Sequence, residues 1–241
     1  MTTQKNNGLQ IQHMRFNFAH AKHLFFNNIS LSFNAGQLHF IRGRNGSGKT
    51  TLFRILQGDM LPHEQIHALY ILDGVEYQAN NTAPSNVYKD KVKQVVQQIQ
   101  TMLVPHFSVL QNLQLACLPS VPGLQKLTAV PIPHILAEFG IAPTVTVDQL
   151  SGGQRQILEI LMILQKPTRI LLLDEPTAAL DPENADLVMR FLQSLAREQD
   201  LVIIIISHDK ELVELYAHQE YTEIVAQPDG SRLVISKRVQ K

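Results

Sequence analysis

Residues 43–50, GRNGSGKT, bring together the residue types that hold a polyphosphate. Gly43, Gly46 and Gly48 let the backbone curl so that successive N–H groups face one concavity. Arg44, Asn45 and Ser47 fill the loop, and Lys49 adds a point charge for β- and γ-phosphates. Thr50 offers a hydroxyl to Mg²⁺, and Thr51 follows it. Further along, ILLLDEP (170–176) ends an apolar run at Asp174, which can hold Mg²⁺ directly or through water. Glu175 sits one residue on, where it can accept a proton from an attacking water. An isolated Asp-Glu after a strand reads as a helix cap or a turn; the phosphate loop upstream and Pro176-Thr177 downstream select the catalytic role. A third segment, LSGGQ (150–154), places Ser151, Gly152, Gly153 and Gln154 at the start of a helix, so N–H groups and the helix dipole point toward an anion. Together these residues read as machinery for binding and hydrolysing ATP.

The elements that carry them follow from periodicity. Leu9, Ile11, Met14, Phe16 and Phe18 alternate imperfectly, and Ile29, Leu31 and Phe33 alternate cleanly, so the chain opens with strands. Gln37–Ile41 reads as a short strand feeding the phosphate loop; behind the loop, Leu52, Ile55 and Leu56 share a helical face and Gly58 is a stop signal. His67–Leu72 and Asp73-Gly74 suggest a strand and a turn, and Ala79–Asn86 a surface loop. Prolines 105, 119, 122, 131, 133 and 143 break the next stretch, which reads as a small helical insert, approximately 98–160, inside one domain spanning 1–241. After it, Ile157–Leu164 is a helix apolar except for Glu159, and Ile170–Leu173 and Leu201–Ile206 are buried parallel strands. Between those strands runs a helix capped by Asp181, with Pro182 in its first turn and Leu187, Val188, Phe191, Leu192 and Leu195 as its stripe. A hairpin about Asp229-Gly230 closes the chain. Three strands of the parallel set thus end at the phosphate loop, at Asp174-Glu175 and at Ser207-His208, and open parallel sheets bind ligands at such ends.

With these motifs in this order, the chain resembles the ABC (ATP-binding cassette) ATPases over essentially its whole length. The resemblance rests on GRNGSGKT, LSGGQ, ILLLDEP, TAALD (177–181) and Ser207-His208-Asp209, with 20 residues from Gln154 to Asp174 and 33 from Glu175 to His208. It implies an α/β fold: a P-loop NTPase core with a mostly parallel sheet, an N-terminal antiparallel β subdomain and an inserted helical subdomain. It also implies two copies facing head to tail, with ATP between the P-loop of one and Ser151–Gln154 of the other. His208 would contact the γ-phosphate, and Asp181 would lie in the loop that crosses the dimer interface. The adenine-stacking aromatic falls on Phe18, with Phe16 as alternative. The glutamine that touches Mg²⁺ and the attacking water falls on Gln97, with Gln98 beside it. The chain departs from many transporter cassettes in carrying Ile157 and Met162 where arginines are usual.

Composition limits the partners. Lysine plus arginine equals aspartate plus glutamate at 21 each, so no basic excess points to nucleic acid. The single cysteine, Cys117, excludes an internal disulfide and a cysteine-rich zinc site. The polar start MTTQKNNGLQ reads as no secretory signal, and the longest apolar run is too short to span a membrane. The expectation is a cytoplasmic protein, peripheral on the membrane's inner face, working as a homodimer beneath a separate transmembrane permease subunit. The competing expectation is a soluble ABC ATPase for assembly or repair, of the iron–sulfur assembly type. Met102, Leu103, Val104, Phe107, Val109 and Leu110 suit a groove that receives a helix of the membrane partner.

Overall fold

The structure is a computed structural model and describes residues 7–19, 21, 23–60, 68–79, 86–95, 103–118 and 133–239. Its frame is one ten-stranded sheet in the order β5-β4-β1-β2-β10-β9-β3-β8-β7-β6. The parallel half comprises β3 (Gln37–Arg42), β8 (Val202–Ile206), β7 (Ile170–Asp174) and β6 (Val92–Val95), with β9 (Glu220–Ala226) parallel to β3. The near-unbroken apolar runs of β7 and β8 are explained by burial on both faces. Leu171, Leu173, Ile203 and Ile205 enter one core; Ile170, Leu172, Val202, Ile204 and Ile206 enter the other.

The antiparallel half is β1 (Gly8–Phe16), β2 (Phe26–Asn34), β4 (Ala68–Leu72) and β5 (Val75–Ala79). This half is N-terminal as expected, and the hairpin β9–β10 (Arg232–Arg238) lies between its strand β2 and β3. The broken alternation of β1 has a physical cause. The pairing slips between Ile11 and Met14, where His13 takes φ 55°, and the opposite strand compensates at Asn28, φ 52°. Two bulges, one on each strand, return Met14 and Phe16 to the buried face. Arg169, at the foot of β7, joins the two halves. Its guanidinium grips Asp73 of the β4–β5 turn with two bonds of 2.8 Å and donates a third, also 2.8 Å, to the carbonyl of Asp200.

Helix α1 (Lys49–Gln57) ends at Gly58 in the left-handed conformation, whose N–H caps the carbonyls of Arg54 and Ile55. Helix α2 (Asn86–Lys91) begins where a surface loop was expected to end, and buries Tyr88, whose hydroxyl donates to the Leu56 carbonyl at 3.0 Å. Between 103 and 163 the described residues form helices and no strand. These are α3 (Val109–Ala116), α4 (Ile135–Glu138), a 3₁₀ turn at Val147–Gln149 and α5 (Gly152–Ile163). Glu159, the polar exception in α5, is buried at 3% exposure. Helix α6 (Pro182–Gln199) is capped by Asp181 and packs on α5; α7 (Lys210–Tyr216) follows β8.

Candidate nucleotide site

The phosphate loop leaves β3 and enters α1 through Gly43, Gly46 and Gly48, at φ 154°, 75° and 108°. Gly48 is required twice over: its φ is left-handed, and a Cβ there would stand 2.8 Å from the Phe25 ring. Lys49 turns back across the loop and donates to the carbonyls of Gly43 at 2.8 Å and Arg44 at 3.2 Å. Burial lowers its pKa, against the raising influence of Glu175 and Asp174. Thr50 and Thr51 stand beside it on the cavity wall, and Ser47 is buried beneath the loop.

Three loops converge on one cavity of about 810 Å³, which Lys49, Thr50, Asp174, Glu175 and His208 all line. Burial raises the pKa of Asp174, opposed by Lys49 and His208. Burial also raises that of Glu175, opposed chiefly by His208. Glu175 takes φ 51°, a strained conformation for a non-glycine residue. Its Oε1 is buried with no hydrogen bond, 3.5 Å from His208 Nε2. A carboxylate held there and weakened as an acid suits proton acceptance. The hydroxyl of Thr50 and the carboxylate of Asp174, hard oxygen donors from two residues that line the cavity, fit a divalent cation such as Mg²⁺. Gln97 and Gln98, the other candidate ligands, lie outside the described residues.

Phe18 stands at the cavity mouth, 37% exposed, whereas Phe16 is buried. Phe18 packs edge-on against Phe25 at 4.9 Å, and the Arg232 guanidinium sits 4.4 Å from the centre of the Phe25 ring. Arg232 also donates to the Gly46 carbonyl at 3.2 Å. Neither Phe25 nor Arg232 was singled out from the sequence. Arg232 reaches the loop only because β10 pairs beside β2, a contact with no local sequence signal.

The LSGGQ segment caps α5. Ser151 Oγ accepts from the Gln154 N–H at 3.2 Å, and Gln154 Oε1 accepts from the Ser151 N–H at 3.1 Å. Gly152 and Gly153 form the first turn. None of Ser151–Gln154 lines the cavity that holds Lys49 and Glu175. Asn184, also missed from the sequence, bonds Ser151 and Gly153 on one side and Asp181 on the other.

The apolar run expected to form a docking groove is core at two of its positions. Leu103 and Val109 are buried at 9% and 0% exposure, Val104 and Leu110 are half-buried, and Phe107 is exposed; Met102 lies outside the described residues. The cause is Asn112, fully buried, whose amide bonds Val104 and draws the segment under α3.

A phosphate loop on a parallel strand, an acidic strand end and a histidine strand end define a P-loop nucleotide-binding protein. The family model described as ABC transporter matches residues 26–178, and the chain belongs to that family. Curated relatives include the arabinose import ATP-binding protein AraG 2 of Burkholderia ambifaria, 34% identical over 77% of this chain and 35% of that protein. The methionine import ATP-binding protein MetN 2 of Rhodopseudomonas palustris is 32% identical over 85% of this chain and 53% of that protein. The chain therefore spans between about a third and a half of the length of these relatives. Among solved structures, cbiO1 of Clostridium perfringens, part of the ABC transporter complex cbiONQ, superposes with TM-score 0.70 at 22% identity, covering 96% of this chain and 88% of that one. A dimeric bacterial ABC transporter cassette superposes with TM-score 0.64 at 21% identity, covering 97% and 99%. Both share the fold. Among the described residues no helix is long and apolar enough to cross a membrane.

Proposed function

We propose that this chain is the ATP-hydrolysing subunit of an ABC importer. It pairs head to tail with a second copy, on the cytoplasmic face of the membrane, and drives a separate permease subunit. The observation that carries this reading is the separation of the LSGGQ segment from the phosphate loop. Lys49, Asp174, Glu175 and His208 share one cavity, while Ser151–Gln154 present a capped helix N-terminus that does not line it. A second copy supplies the missing wall. The helices between about 98 and 160 form the insert that carries the LSGGQ segment. Import is supported by the relatives, which are import ATP-binding proteins for arabinose, methionine and xylose.

In this reading Lys49 and the loop amides bind the β- and γ-phosphates, and Phe18 stacks on adenine. Thr50 and Asp174, with Gln97, hold Mg²⁺, which when bound neutralises phosphate charge. Glu175 accepts the proton of the attacking water, and His208 orients the γ-phosphate. Glu175→Gln keeps shape and polarity but removes the acceptor, so hydrolysis should fall by about 10²–10⁴ while ATP binding persists. With ATP and Mg²⁺, this variant should elute as a dimer more readily than the parent. Hydrolysis at the parental rate would move the base elsewhere.

A further inference from the structure

One oxygen atom occupies two donors that the signature, the LSGGQ start of α5, would otherwise offer to a phosphate. Asn184 Oδ1 accepts from the Ser151 hydroxyl at 2.8 Å and from the Gly153 N–H at 3.2 Å. Ser151 has a single hydroxyl proton, and its oxygen already accepts from the Gln154 N–H as the helix cap, so the bond to Asn184 uses its whole donor capacity. Asn184 is in turn held from the other side. Its N–H donates to Asp181 Oδ1 at 3.0 Å, and its Nδ2 donates to Asp181 Oδ2 at 2.6 Å. The Asp181 carboxylate therefore orients the amide so that its oxygen, not its nitrogen, faces the signature. Gly153 permits the approach: a Cβ there would stand 2.8 Å from Asn184 Oδ1.

We propose that Asn184 is a positioning residue that latches the signature, holding the Ser151 hydroxyl and the Gly153 N–H away from phosphate until ATP on the second copy displaces them. The inference rests on the head-to-tail reading above. Closure exchanges the Ser151–Asn184 bond for a bond to a phosphate oxygen, and the loss is transmitted to Asp181 through the same amide. Because Asp181 caps α6 at the Asn184 backbone, the cap survives replacement of the Asn184 side chain.

The test measures the ATP concentration that half-dimerises the protein, by light scattering, in a Glu175→Gln background that cannot hydrolyse. Adding Asn184→Ala frees both donors and should lower that concentration about three- to tenfold, the worth of one ordinary hydrogen bond. Adding Asn184→Asp keeps the acceptor and places a negative charge beside the incoming phosphate, so it should raise the requirement at least as much. A purely structural Asn184 would weaken closure in both variants, so unchanged or weakened dimerisation in Asn184→Ala overturns the latch alone. Absence of ATP-driven dimers in Glu175→Gln and in both double variants overturns the head-to-tail pairing and the latch with it. Dimers that form only when Asn184→Ala is added support both.

Discussion

Asn112→Ala tests how the segment between β6 and α3 is held. In the parent, Asn112 Oδ1 accepts from the Val104 N–H at 2.8 Å. Its Nδ2 donates to the carbonyls of Ser108 at 3.0 Å, Val104 at 3.2 Å and Phe107 at 3.4 Å. Those three carbonyls keep backbone donors after truncation, from Asn112, Phe107 and Val147 respectively. The Val104 N–H does not; it loses its acceptor outright. Losing the amide's own bonds costs roughly 1 kcal/mol, and a half-buried orphaned donor about 1–3 kcal/mol more, so the variant should lose about 2–4 kcal/mol. Urea unfolding of parent and variant measures this at the midpoint, with the slope unchanged. Asn112→Leu separates bonding from packing: it refills the volume but leaves the Val104 N–H unpaired, and should recover only a minor part of the loss. A loss below about 1 kcal/mol in Asn112→Ala, or full recovery in Asn112→Leu, would refute the argument that hydrogen bonding pins this segment.

Three further outcomes are expected. Lys49→Ala removes the ammonium charge that stands beside the loop amides, and calorimetry should show ATP affinity reduced about ten- to a hundredfold. Phe18→Ala should weaken ATP binding by about 0.5–1.5 kcal/mol, and by the same factor for ADP, if the exposed ring stacks on adenine; equal affinity would reassign the base to other residues. Burial lifts the Glu159 carboxyl to about 7, only partly opposed by Arg155. Because the folded value lies above the unfolded one, the proton stabilises the fold fully below about pH 4.5, and this contribution is lost as pH rises through about 7. Glu159→Gln, which never ionises, should therefore gain on the parent between pH 5 and 8, by up to about 3 kcal/mol at about 1.4 kcal/mol per pH unit. Paired melts at the two pH values measure it, and a gap independent of pH would contradict the burial argument.

The sequence by itself determined the loops and caps that follow the strands, because they are written in short segments. Gly43–Thr50 must curl, Ser151 and Asp181 must cap helices, and Asp174-Glu175 must follow a fully apolar strand; each requirement is met within a few residues of chain. What only the tertiary structure decided involves residues distant in sequence. The hairpin β9–β10 inserts between β2 and β3 and carries Arg232 to the phosphate loop, 186 positions away. Asn184 meets Ser151 across 33 positions because α5 packs on α6. The two bulges of β1 and β2 appear in the sequence only as faulty alternation, since the compensating residue lies on the other strand. Leu103 and Val109 read as a surface for a partner because their apolar character is the same in a core and in a groove. Their burial depends on Asn112, a polar residue whose role emerges only when its amide meets backbone that local pattern cannot place.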